Sequence, residues 1–243
     1  MRRLWPTVIT VLLLTVLVGL GTWQVKRLEW KEGLIAAMDH RMREEPIEVA
    51  ALPEAEDETY RPAVARGTFL HEQSFYQLAI SLGGEGGYHV LTPLRLEDGR
   101  FLLVDRGWVP YGRRQDYDRP MGLVSLAGIL HRPEHHWSQP VNDPVKNNWY
   151  VPDLSAMAKV AGVPAFLPYV LEVDARPNPG GYPIGGQTRI ELPNNHLGYA
   201  LTWYGLALAL LVIYSLSVWR KGSADYKAAG SAAGSLRPDG SRR

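Results

Sequence analysis

One histidine stands where it can do chemistry. His196 follows Asn194 and Asn195 and opens an uncharged run, Leu197–Trp219. On a helix it shares a face with Tyr199, Ala200, Trp203 and Ala207, at offsets of 3, 4, 7 and 11. A neutral imidazole is a standard axial ligand of haem iron. Two aromatic rings and two small residues beside it suit a flat apolar ligand with a metal centre. The same position also suits a polar residue that merely marks the end of a membrane span, although ionisable residues at spans lean to function. A second apolar run ends in Trp23-Gln24-Val25-Lys26-Arg27. If both runs cross a membrane, this end lies at the depth of His196, and Trp23, Gln24 and Arg27 come within reach of it. Arg27 can then pair with an anionic group such as a propionate, or it snorkels as a helix-end arginine.

Other chemistry finds little support. G-x-S-x-G, P-loop and H-E-x-x-H patterns are absent. There is no cysteine, which excludes disulfides, thiolate metal sites and thiol nucleophiles. Gly83-Gly84-Glu85-Gly86-Gly87 lies between two strand-like segments with no helix after it, so it reads as a turn and not as a phosphate cradle. His131, His135 and His136 share a proline-containing stretch without a framing carboxylate pattern, and are expected on a surface loop. Eight of the 26 Lys and Arg, but only Asp225 and Asp239 of the 25 acids, lie outside 26–195. The middle segment is therefore mildly acidic, and no nucleic-acid partner is expected.

The elements that must position these residues follow from hydropathy. Leu4–Val25 is uncharged over 22 residues, about 33 Å of helix, enough to cross the hydrocarbon of a bilayer. Pro6 sits in its first turn, where a missing N–H costs little. The run is too long for a signal-peptide core and no small-residue cleavage site follows it, so an uncleaved anchor is expected. Its start close to Met1 leaves no room for a transit peptide and suggests a bacterial inner-membrane protein. The second span covers 196–219 and is stopped by Arg220 and Lys221. That basic flank places both ends in the cytoplasm, with 1–3 before the first span (4–25) and a disordered tail over 220–243, and puts 26–195 in the periplasm.

Trp23, Trp30, Leu34, Met38 and Met42 form a stripe that continues the first helix toward Pro46, packed on the middle domain. Strand periodicity then marks Pro62–Leu70, Ser74–Leu82, Tyr88–Leu96, Arg100–Val109, Leu123–His131, Tyr169–Val173 and Thr188–Leu192. Glu97-Asp98-Gly99 is a hairpin turn, and Asp153–Ala161 a single short helix capped by Asp153 and ended by Gly162. The fold class expected is membrane α+β: two transmembrane helices flanking an extramembrane antiparallel β domain, able to roll into a barrel, with one short helix.

Several motifs resemble those of the surfeit-locus protein 1 family. Gly21-Thr22-Trp23-Gln24-Val25-Lys26-Arg27 resembles its G-x-W-Q-x-x-R at the end of the first helix. Tyr88–Pro93, Val104–Pro110 and Asn148–Tyr150 resemble its domain motifs, and Pro183–Arg189 followed by Asn195–Gly205 its most diagnostic stretch. The resemblance runs over roughly residues 20–206 in the family's order. It implies a non-enzymatic assembly factor for aa3-type cytochrome c oxidase, acting on subunit I, with haem a synthase a further candidate partner. Bacterial members are associated with haem a, bound as cargo, and the family's second-helix histidine matches His196, the expected ligand of the haem iron. Gln24, Arg27 and Arg189 match family motifs; contact of Gln24, Arg27, Tyr199 and Trp203 with the haem is our inference. A structural scaffold that never touches haem is the competing class. A haem-modifying enzyme is a third, and it would want more histidines at membrane depth or clustered aspartates.

The orientation is directly testable. Topology reporters fused at the C-terminus and after Gly83 should give opposite signals; matching signals would overturn the two-span arrangement.

Overall fold

In a computed structural model, residues 4–52, 57–134, 139–187 and 194–234 are described, with the backbone alone from 221 on. The chain divides into two compact units, one formed by 1–35 with 192–243, the other by 36–191.

The first unit is helical. Helix α1 runs without interruption over Leu4–Arg41, and α3 over His196–Gly234. Both are long and apolar enough to cross a membrane. Their large apolar side chains, among them Val8, Leu12, Val16, Leu208, Leu211 and Ile213, are exposed. A soluble core helix would bury such a surface, whereas lipid covers it. The stripe expected on α1 is covered only at its far end: Met38 is buried, but Trp23, Trp30 and Leu34 are exposed. Helix α3 also continues into the segment whose composition predicts disorder. Alanines at 224, 228, 229, 232 and 233 favour helix there.

The second unit is a closed β-barrel. Its strands are β1 (Ile47–Glu48), β2 (Pro62–Phe69), β3 (Phe75–Ile80), β4 (Gly86–Leu96), β5 (Phe101–Pro110), β6 (Leu123–His131), β7 (Asn148–Trp149) and β8 (Val170–Val173). The hydrogen-bonded order is β1-β2-β6-β8-β5-β4-β3-β7, and β2 pairs with β4 as well. One edge of β4 is shared: its first half pairs with β3, and Leu94–Leu96 pair with Gly67–Phe69 of β2. That second contact closes the ring β2-β6-β8-β5-β4. The expected Thr188–Leu192 strand lies outside the described residues. Strands β1 and β7, two residues each, carry too little periodicity to be seen in sequence. Not every ladder is antiparallel: β8 runs parallel to β5, and β1 and β7 run parallel to β2 and β3. The β8 arrangement is possible because a long connection, including helix α2 (Leu154–Ala161), brings the chain back in the same sense.

Strand β5 is buried on both sides. Leu102 and Val104 join Ala65, Leu94, Leu130 and Leu171 in one core cluster. Leu103 joins Phe75, Leu91, Trp149, Met157 and Val170 in another, into which α2 packs. Asp153 accepts from the backbone N–H groups of Ser155 and Ala156, and Gly162 ends the helix, as the sequence predicts.

Two histidines of the barrel are held by carboxylates. His89 Nδ1 lies 2.5 Å from Asp105 Oδ2, and His131 Nδ1 lies 2.9 Å from Glu172 Oε1. His131 is thus the last residue of a strand, not part of a loop; its alternation with Leu130 fixes it to the outer face. His135 and His136 lie outside the described residues. Burial alone would lower the pKa of His89, but the Asp105 charge and hydrogen bond outweigh it and hold the imidazole above its ordinary 6.5. The hydrogen bond to Glu172 raises His131 in the same way, against the effect of burial. His71 is lowered, chiefly by burial.

A raised folded-state pKa contributes stability that is complete below the unfolded value and lost as pH rises through the folded one. The contribution of His89 should therefore be present below about pH 6.5 and disappear above it. His131 adds to this trend and His71 opposes it, so the comparison is made by variant. The melting temperature of His89→Gln should fall less between about pH 6 and pH 8.5 than that of the parent. Parallel curves for the two proteins would contradict this.

Candidate functional site

The site at His196 is built by the contact of α1 with α3 inside the helical unit. The helices run antiparallel, since Thr7 meets Tyr214 and Thr22 meets Tyr204. Thr7 Oγ1 and the Tyr214 hydroxyl are 2.7 Å apart, and Thr22 Oγ1 and the Tyr204 hydroxyl 3.1 Å. Gly21 makes this approach possible. A Cβ at that position would lie 2.8 Å from the Tyr204 ring, inside van der Waals contact. Lipid provides no hydrophobic drive for helix association, so small residues and interhelical hydrogen bonds must supply it.

At the end of this interface Gln24 is buried, and its Oε1 lies 2.7 Å from His196 Nδ1. An amide oxygen can only accept, so Nδ1 carries the proton. The lone pair of the neutral ring is then on Nε2, which makes no hydrogen bond among the described residues. A metal-binding histidine is usually prepared in this way: its second nitrogen is held by an acceptor that fixes tautomer and orientation. His196 is half-buried. Asn194 Oδ1 is buried beside it without a partner among the described residues.

The other residues singled out from sequence are placed unevenly. Tyr199 is exposed and Trp203 half-buried. Arg27 is exposed, with its guanidinium 3.9 Å from the centre of the Trp30 ring. That cation–π contact holds the charge one turn beyond Gln24. Ala200 and Ala207 are buried, 2% and 7% exposed. They lie on the side of α3 that carries His196 toward α1, so the small residues make room for a helix. The face expected to leave space for a ligand along Ala200–Ala207 is therefore occupied. A flat ligand on Nε2 is left with the Tyr199 and Trp203 side. Arg189 lies outside the described residues.

The domain motifs tie barrel strands to one another and to the Ile184 segment. Asp105 holds His89 with one oxygen and accepts the Gly107 N–H with the other, at 2.8 Å. Gly107 has φ +111°, and a Cβ on it would strike the Ile184 carbonyl. This allows Trp108 to bridge to Ile184. Gln187 Oε1 caps the Leu82 N–H, and Trp149 is fully buried, edge-on to Phe75. The Thr–Tyr and Gly21 contacts between helices were missed in the sequence. Hydroxyls and a glycine inside an otherwise aliphatic span were the available signal.

The model of the SURF1 family matches residues 11–208. The chain is 39% identical to Surfeit locus protein 1 of Mus musculus over 212 residues, covering 79% of this chain and 68% of that one. It is 37% identical to the Homo sapiens protein of the same name over 213 residues, 79% and 70% of the two chains. To a SURF1-like protein of Monosiga brevicollis it is 34% identical over 214 residues, 81% of each.

If Gly21 sets the helix contact, a large side chain there should weaken it. With no native cysteine, the pair Thr7→Cys and Tyr214→Cys offers a single intramolecular site for a short bifunctional thiol cross-linker that spans the length of the lost tyrosine ring. Gly21→Leu should slow this cross-linking by about threefold or more, the factor matching ~0.6 kcal/mol of interhelical contact. An unchanged rate would show that Gly21 does not govern the approach.

Proposed function

The chain belongs to the SURF1 family, and on that footing we propose that it is an assembly factor for aa3-type cytochrome c oxidase, without enzymatic activity, that binds haem a and assists its delivery to, or retention in, subunit I. The observation that carries this reading is the Gln24–His196 hydrogen bond, which leaves Nε2 of a half-buried imidazole available as an axial ligand. A scaffold that only steadied subunit I would have no need of an oriented imidazole at this place.

The residues present fit a haem in a limited and specific way. His196 supplies the ligand, Gln24 orients it, and Tyr199 with Trp203 offers ring surface beside it. Arg27, already stacked on Trp30, is a candidate for a propionate at the cost of that contact. When bound, the haem would be held through its iron by the His196 imidazole; the group is cargo and not a resident cofactor. The farnesyl tail would lie against lipid, away from the Ala200–Ala207 contact, where its burial is favourable. The membrane is proposed to be the bacterial inner membrane, with the β domain in the periplasm and haem a synthase as the source of the cargo.

The test uses a deletion strain complemented by variants, reading haem a that co-purifies per protein, the optical spectrum and aa3-type oxidase activity. Protein level in the membrane is checked for each. His196→Ala should lose the bound haem while keeping the span, since Ala is a good helix former. Gln24→Ala should lower affinity by about 10–100-fold, as loss of an orienting partner does. Arg27→Ala should have a smaller effect, because a solvated ion pair contributes little. Undiminished haem with an unchanged spectrum in His196→Ala would reject the ligand role and favour the scaffold. Normal oxidase activity in the deletion strain, with no second family member present, would reject the assembly role.

A further inference from the structure

We propose that four side chains in a row across the barrel, His89, Asp105, Glu172 and His131, form one proton-operated clasp that sets how firmly β8 is held between β5 and β6. Each comes from a different strand: β4, β5, β8 and β6 in turn. Asp105 stands directly opposite Glu172 in the parallel β5–β8 ladder, so both carboxylates leave the sheet on the same face. Like charges facing each other across a ladder are destabilising. A histidine on either side answers them. His89 Nδ1 is 2.5 Å from Asp105, and His131 Nδ1 is 2.9 Å from Glu172. The Asp105, His89 and Glu172 side chains are 11, 16 and 19% exposed, so salt screens these charges weakly.

The two pairs act as one group. Burial opposes a charge on His89, yet the charge and hydrogen bond of Asp105, with the charge of Glu172, hold it above its ordinary range. His131 is raised first by its hydrogen bond to Glu172, against burial, and further by the charges of Glu172, Glu134 and Asp105. Each imidazole thus feels the carboxylate of the other pair. The cations nearby are engaged elsewhere. Arg132 donates to the Tyr169 hydroxyl and lies 3.9 Å from Asp57, and Arg176 is paired with Asp174. Lys159, the only charged residue of α2, is exposed. Neutral side chains complete the surroundings: Gln77 and Trp108 stand opposite His89, Val170 opposite His131, and the Tyr60 ring stacks on His131.

Two carboxylates and two imidazolium ions sum to zero. With both imidazoles neutral, the row carries two negative charges, on Asp105 and Glu172. The neutral rings still donate from Nδ1, so the charge is lost and the hydrogen bonds are kept. The repulsion falls on a strand of four residues, held by three residue pairs to β5 and four to β6. The Val173 carbonyl also accepts the Gly186 N–H, so a looser β8 loosens that segment with it. As pH rises through the titration of the two histidines, β8 therefore opens more readily than the rest of the barrel.

The test is hydrogen exchange of the full-length protein in detergent, read by mass spectrometry and corrected for the intrinsic rate at each pH. Between about pH 5.5 and 8.5, protection of β8 should fall by about two- to fivefold more than that of β2. Glu172→Gln removes one of the opposed charges and should abolish this difference. Imidazole 1H–15N spectra, assigned with His89→Gln, give the second readout. His131→Gln should raise the titration midpoint of His89, because Glu172 is then left without its counter-charge. If Glu172→Gln does not fold, His131→Gln decides. An equal pH dependence of β8 and β2, a difference that persists in Glu172→Gln, or a His89 midpoint unmoved by His131→Gln would each overturn the clasp.

Discussion

Strand β4 has to satisfy hydrogen-bonding groups along both of its edges, and the architecture of the β domain depends on how it does so. One edge is fully taken by β5. The other is divided between β3 and β2, and only the short pairing of Gly67–Phe69 with Leu94–Leu96 turns an open sheet into a ring. Unpaired edge groups would be exposed to other chains or left unsatisfied. The division demands a change of direction in β4, and its pairing with β5 is irregular between His89 and Leu91. The His89–Asp105 pair sits at that irregularity. The Asp105 carboxylate spans from the imidazole to the Gly107 N–H, so one side chain holds together the two strands that the irregularity would loosen.

The segment from Asp105 to Trp108 therefore combines several constraints. Gly107 gives Ile184 a close approach, Trp108 is buried after it, and Arg106, between Asp105 and Gly107, is carried into the protein with its charge. Its guanidinium is held by the Asp118 carbonyl at 2.8 Å, by the Asp118 charge and by the Phe69 and Tyr117 rings. The motif around Asp105 thus binds β4, β5 and the Ile184 segment together.

In the helical unit the governing constraint differs. Apolar side chains cover the outside of α1 and α3 and have no preference between lipid and each other. Selection of one mutual orientation falls to a few contacts: Gly21 against Tyr204, two Thr–Tyr hydroxyl pairs, and Gln24 with His196. The last of these also fixes the imidazole tautomer, so the hydrogen bond that helps to align the helices prepares the ring for a ligand.

Much was legible in the residue order. Uncharged runs of 22 and 23 residues define spans by length alone, and the two-residue alternation from Pro62 to His131 places the long strands within a residue or two. The cap at Asp153 and the stop at Gly162 are local chemistry, which the residue order alone specifies. His196 and Gln24 were recognisable as residue types at motif positions. Their pairing was not, because it joins residues 172 apart in the chain. Ala200 and Ala207 look like open space in sequence, since a small side chain is equally suited to a ligand and to a neighbouring helix; only the packed pair distinguishes them. The parallel β5–β8 ladder, the closing contact of β2 with β4 and the burial of Arg106 are likewise non-local. Periodicity and propensity describe what a segment buries. They carry no information about which partner it is buried against, and that was settled by the folded chain as a whole.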